Sequence, residues 1–97
     1  MQIKNQEFNS KIIGKLKKVF DVKEEKTHHL VYNIYYKGKW VAKTYRSHGG
    51  GDMSDKAVYG IRRQLFLNTE ELANLKNCPL TAEAYLDLLK QKNVISD

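Results

Sequence analysis

Ninety-seven residues suit one small domain with a modest core, held together by about 5 to 15 kcal/mol. Seventeen Lys and Arg against eleven Asp and Glu leave a net charge of +6, concentrated as +4 on residues 1–18 and +5 on residues 37–66; such a field favours a polyanion, nucleic acid before an anionic membrane surface, although a merely solubilising surface has the same composition. A single cysteine, Cys78, excludes an internal disulfide, MQIKNQEF lacks the apolar core of a signal peptide, and no run approaches the roughly 20 apolar residues of a membrane span, so a cytoplasmic protein with no membrane partner is expected.

In chain order, Asn9 or Ser10 can cap a first helix from about Lys11 to Phe20, where Ile12, Ile13, Leu16, Val19 and Phe20 recur at helical spacing. Lys11, Lys15 and Lys18 share the opposite face, either to track phosphates or simply as solvated lysines. Residues 20–26, FDVKEEK, alternate Phe20 and Val22 with charges, as a charged edge strand does. A turn near Lys26-Thr27 leads into two β-type runs, His28 to Tyr35 and Lys39 to Arg46, rich in Val, Ile, Tyr, Trp and Thr. A three-stranded antiparallel meander is expected.

The register of the second hairpin decides which residues meet. A two-residue loop on Lys37-Gly38 requires positive φ at Lys37, whereas a three-residue loop requires it only at Gly38. The second choice pairs Tyr35 with Lys39 and Ile34 with Trp40, and it makes an uncharged face of Leu30, Tyr32, Ile34, Trp40, Ala42 and Thr44. It also sets His28 opposite Arg46, with His48 two residues beyond, so two imidazoles and a guanidinium are expected at the open end of the hairpin.

After Gly49-Gly50-Gly51, Ser54 is a good cap for a helix from Asp55 to about Phe66, with Val58, Ile61 and Leu65 inward and Lys56, Tyr59 and Arg63 together on another face. That basic and aromatic face suits a phosphate and a stacked base, or is simply wet. The glycine run fits neither the P-loop nor the dinucleotide fingerprint and reads as a bend between strand and helix. Asn68 or Thr69 starts another helix, with Glu70 and Glu71 in its first turn. It ends before Cys78-Pro79, where a buried, inert thiol is expected; Thr81 caps a last helix from Ala82 to about Lys92, with Tyr85, Leu88 and Leu89 inward.

Metal-free cleavage of RNA needs a group that takes the proton of the ribose 2′-hydroxyl, a group that protonates the leaving oxygen, and cations for the charge on phosphorus. Histidine is the side chain whose ordinary titration falls near neutral pH. His28, His48 and Arg46 could fill those places, with Lys43, Lys56, Tyr59 and Arg63 holding the RNA. The competing reading makes the histidines structural groups at a strand end. A metal site from His28, His48 and Asp52 is a weaker alternative, because the adjacent His28 and His29 point to opposite faces of a strand. No metal or organic cofactor is expected.

The order helix, strand, His-containing turn, strand, strand, Ser-His-Gly loop, helix resembles the HicA toxin family of bacterial and archaeal toxin–antitoxin systems. Lys26-Thr27-His28, followed by His29, stands where the family has Gly-Ser-His at the turn from the first strand to the second. Ser47-His48-Gly49 stands where it has Pro-His after the third strand, and Ile61, Gln64 and Leu65 take corresponding places on the helix that follows. The likeness spans roughly residues 10–75; Lys26 replaces the turn glycine, and the chain continues past typical family members. The resemblance implies a fold like the double-stranded-RNA-binding domain and cleavage of messenger RNA. His28 would act as general base or acid, assisted by His48 and Arg46, and a cognate antitoxin would cover the basic face.

The expectation is thus an α+β single domain over residues 1–97, with a helix, three-stranded antiparallel sheet and helix at about 10–66 and a C-terminal helical extension at about 67–97. Its expected function is that of a HicA-like toxin, a metal-independent mRNA-cleaving ribonuclease. Two alternatives stand beside it: a non-catalytic nucleic-acid-binding module on the same surface, and a protein-interaction module that uses the acidic C-terminal helices.

Overall fold

Helix α1 passes from an α turn at Asn5–Glu7 through a π segment at Phe8–Ile13 to an α turn at Gly14–Leu16, in a computed structural model that describes residues 2–47, 51–77 and 79–95. The helix therefore starts well before Lys11, and neither Asn9 nor Ser10 caps it. Its entry is closed by Glu7, whose carboxylate accepts from the Lys4 N–H at 3.1 Å. In the π segment the Gly14 N–H reaches back five residues to the Asn9 carbonyl. Phe8, Ile12, Ile13 and Leu16 are all out of solvent, the apolar face that their helical spacing predicts.

Strands β1 (Asp21–Lys26), β2 (His29–Tyr36) and β3 (Lys39–Ser47) form an antiparallel meander in the order β1-β2-β3. The α+β class and the three-stranded sheet are as the sequence predicts; the turn into β3 is not. Both Lys37 (φ 51°) and Gly38 (φ 81°) lie in the left-handed region, so the loop has two residues and pairs Tyr36 with Lys39 and Tyr35 with Trp40. This turn matches the right-handed twist of the strands. A bulge follows, with Ile34 opposite Ala42 and Val41 as the extra residue. Beyond it the even-numbered residues share a face again, and Tyr32, Ile34, Ala42 and Thr44 are buried. Trp40 is the casualty of the expected register: it lies on the other face, 56% exposed, with its indole N–H donated to Asn33 Oδ1 at 3.2 Å.

Helices α2 (Asp55–Gln64), α3 (Thr69–Asn77) and α4 (Ala82–Gln91) complete the fold. Their starts were legible locally. Ser54 Oγ accepts from the Ala57 N–H, Thr81 Oγ1 accepts from the Ala84 N–H, and Asn68 and Glu71 exchange side-chain-to-backbone bonds as a capping box. The N-terminal residues do work that their polar composition hides. Ile3 is fully buried and its carbonyl accepts from the Met53 N–H at 2.8 Å, while Gly51 O accepts from the Asn5 N–H at 2.9 Å. These bonds fix the approach to Ser54 and hence the position of α2.

Leu72 and Leu75 of α3 and Tyr85, Leu86 and Leu89 of α4 belong to the same buried cluster as Phe8, Leu16, Tyr32 and Ile61. Phe20 packs edge-on to Tyr85 with ring centroids 5.7 Å apart, so the helices after residue 66 share the core of the sheet rather than hanging beside it. Lys15 serves this packing: its ammonium donates to the carbonyls of Leu75 and Leu80 at 2.5 and 3.1 Å. Its ammonium is thereby committed to holding the C-terminal end of α3. No helix among the described residues is long and apolar enough to cross a membrane.

Candidate nucleic-acid interface

Helix α2 turns Val58 and Ile61 into the core, which leaves Lys56, Tyr59 and Arg63, spaced by three and four residues, on its open side. The helix lies along the end of β3, where the buried Thr44 hydroxyl donates to Gln64 Oε1 at 2.8 Å. Between strand and helix runs a cleft of about 640 Å³, lined by Tyr45 and Arg46 from β3 and by Lys56, Tyr59 and Arg63 from α2. Three cations face this space, and no carboxylate among the described residues lines it.

Tyr59 and Tyr45 are 43% and 44% exposed, so their rings offer flat apolar surface to whatever enters. Arg63 Nη1 donates to the Tyr59 phenol oxygen at 3.3 Å, and the Arg62 guanidinium sits 4.8 Å from the ring centroid. The hydrogen bond from Arg63, and then its charge, hold the Tyr59 phenol below the usual range. Arg46 is anchored from beneath, its Nε donating to the Tyr32 phenol oxygen at 3.1 Å.

Lys56, Tyr59 and Arg63 share one face of α2, as their spacing predicts; Arg46, which the sequence sets beside His28 and His48, instead meets them across the cleft. Lys43 is not with them; it lies opposite Asn33 on the outer face of the sheet. His28 stands exposed in the turn between β1 and β2. It does not face Arg46, whose partner is Leu30, and His29 lies opposite Ser47. The expected pairing is off by two residues, one from the tighter turn at Lys37-Gly38 and one from the bulge at Val41. His48, Gly49, Gly50 and Cys78 lie outside the described residues.

Three participants escaped the sequence reading. Tyr45, on the outer side of β3, lines the cleft as well; its ring meets the exposed His29 at a centroid distance of 5.1 Å. Tyr32, expected on the uncharged face of β2, also orients Arg46. Arg62 joins Arg63 around Tyr59. The i, i+3 spacing of Tyr59 and Arg62 was a readable signal; the contacts of Tyr45 and Tyr32 depend on the tertiary fold. Among the described residues no three His, Cys, Asp or Glu side chains are grouped as metal ligands.

Comparison with models of protein families, with curated proteins and with solved structures finds no match for this chain in any of the three.

Proposed function

We propose that the protein binds RNA through the cleft between β3 and α2. The observation that carries this reading is the convergence of Arg46, Lys56 and Arg63 on one space free of lining carboxylates, beside two half-exposed tyrosines. Cations in such a row neutralise successive phosphates and release their counterions, while the rings accept bases by stacking. A solvated surface has no need to anchor a guanidinium on a buried phenol, as Arg46 is anchored on Tyr32. The test is fluorescence anisotropy with labelled RNA over a range of salt concentrations. Binding that weakens steeply with salt, and weakens further with Lys56→Ala and Arg63→Ala combined, supports the reading; affinity indifferent to that double substitution overturns it.

A second reading adds cleavage to binding. It is favoured by the position of His28, exposed in the turn from β1 to β2, which is where the resemblance to HicA toxins expects the key histidine. There the imidazole would take the proton of a ribose 2′-hydroxyl as its oxygen attacks the adjacent phosphorus. The bond to the 5′ oxygen breaks, that oxygen takes a proton from water, and a 2′,3′-cyclic phosphate remains, the imidazolium returning its proton to the hydroxide so formed. The cleft cations would stabilise the charge on phosphorus. In this reading the protein is a cytoplasmic toxin acting on messenger RNA, and a cognate antitoxin neutralises it by covering the basic cleft. Incubation with RNA in the presence of chelator decides: RNA cut by the wild type and left intact by His28→Ala supports cleavage, and RNA intact with both overturns it while leaving binding untouched.

A further inference from the structure

The face of the sheet turned away from the helices carries a row of aromatic rings that the core does not use. Trp40 and Tyr45 on β3 are 56% and 44% exposed, and the register puts them on the same side as Tyr35, which lies directly opposite Trp40. Trp40 is steadied by its hydrogen bond to Asn33, and Tyr45 by the ring of His29. Between the two exposed rings, on the same strand and the same side, stands Lys43. The carboxylates of this face, Asp21 and Glu25, belong to β1 at the far edge.

Tyr45 also lines the basic cleft. The row of rings on the sheet is therefore continuous with the cleft, and a strand gripped by Arg46, Lys56 and Arg63 can leave it over Tyr45. Five residues of β-strand span roughly 15 Å, so Tyr45 and Trp40 serve different bases, with the Lys43 ammonium between them for the backbone. A paired duplex cannot use this surface, because its base faces are covered by their neighbours; unpaired bases can stack on any exposed ring. We infer that the uncovered sheet face binds single-stranded RNA, whose bases stack on Tyr45 and Trp40 as the strand leaves the cleft. This rests on the RNA-binding reading of the cleft and gives Lys43, remote from that cleft, a place on the same path.

Trp40 is the only tryptophan in the chain, so its emission reports stacking directly. The experiment titrates wild-type protein with a short mixed-sequence RNA, single-stranded or annealed to its complement, and follows anisotropy together with tryptophan fluorescence. The expected result is tighter binding of the single strand with quenching of Trp40, and a loss of about fivefold or more in single-strand affinity, read by anisotropy, for Trp40→Ala with duplex affinity unchanged. Binding of RNA that leaves Trp40 emission unchanged, or a duplex bound as tightly as the strand, overturns this inference alone. A co-purifying protein that shields Trp40 where RNA does not assigns the face to a protein contact and overturns it too. Failure to bind either RNA removes the cleft reading as well.

Discussion

The guanidinium of Arg46 is tied to the phenol of Tyr32, Nε to oxygen at 3.1 Å, and Tyr32 is itself 2% exposed and packed edge-on against Phe8. One cation of the cleft is thus positioned by the hydrophobic core. Tyr32→Phe removes the acceptor and keeps the charge and the ring. RNA affinity should fall by about three- to tenfold, in line with the net worth of one ordinary hydrogen bond, with the salt dependence and the far-UV circular dichroism unchanged. Unchanged affinity would mean that Arg46 contributes by charge alone and needs no positioning by Tyr32.

Lys56 and Arg63 are exposed and should act through phosphates. Replacing both by Ala should reduce the slope of log affinity against log salt by about 1.4, roughly 0.7 for each lost contact with a single strand. Anisotropy at four or more salt concentrations measures this. Stability should barely change, since neither side chain contributes to the core.

His28 is exposed in the turn between β1 and β2, outside the paired strands. His28→Ala should leave the thermal unfolding temperature and RNA affinity within error of the wild type, while RNA cleavage in chelator, where the wild type shows it, is lost. Gel analysis of a labelled RNA beside a melting curve separates the two effects.

Tyr85 is fully buried, and its hydroxyl donates to the Leu65 carbonyl at 2.9 Å. Burial pushes the phenol well above its usual range. The phenol of the unfolded chain titrates near pH ~10, so the folded form holds its proton where the unfolded form has lost it. The stability linked to this group is complete below that pH and declines as pH rises above it. Tyr85→Phe should cost about 1 kcal/mol at neutral pH, because the Leu65 carbonyl loses its partner, and should make the alkaline decline shallower in urea melts.

Phe66 occupies the left-handed position that ends α2, with φ 62°. The Phe66 and Leu67 N–H groups donate to the Arg63 and Arg62 carbonyls, the pattern in which glycine is favoured. The ring is 40% exposed, so little packing is at stake. Phe66→Gly should stabilise the protein by about 1 kcal/mol, measured as a higher urea midpoint with an unchanged m-value.

Much of the architecture was legible because it is local. Ser54, Asn68 and Thr81 declare their helices through side-chain oxygens that satisfy N–H groups three residues on. Asn33 between Tyr32 and Ile34 marks which side of β2 is buried. Lys56, Tyr59 and Arg63 had to share a helix face once Ser54 was recognised as the cap, since spacings of three and four residues allow nothing else.

What stayed hidden depends on partners distant in sequence. The π segment at Phe8–Ile13, closed by the Gly14 N–H on the Asn9 carbonyl, has no signal in the helical spacing of Ile12, Ile13 and Leu16. Lys37 takes a left-handed conformation because that turn fits the strand twist, and the bulge at Val41 then restores the buried side of β3 while expelling Trp40. Those two single-residue adjustments moved Arg46 from His28 to Leu30. The chain's own spacing determined the helices, the meander and the charge on α2. Only the tertiary structure could bring α2 against β3, because that contact is held by Ile3 and Asn5 bonded to residues 51–53 and by Thr44 bonded to Gln64, and hydrogen bonds across such separations leave no periodic trace in a sequence.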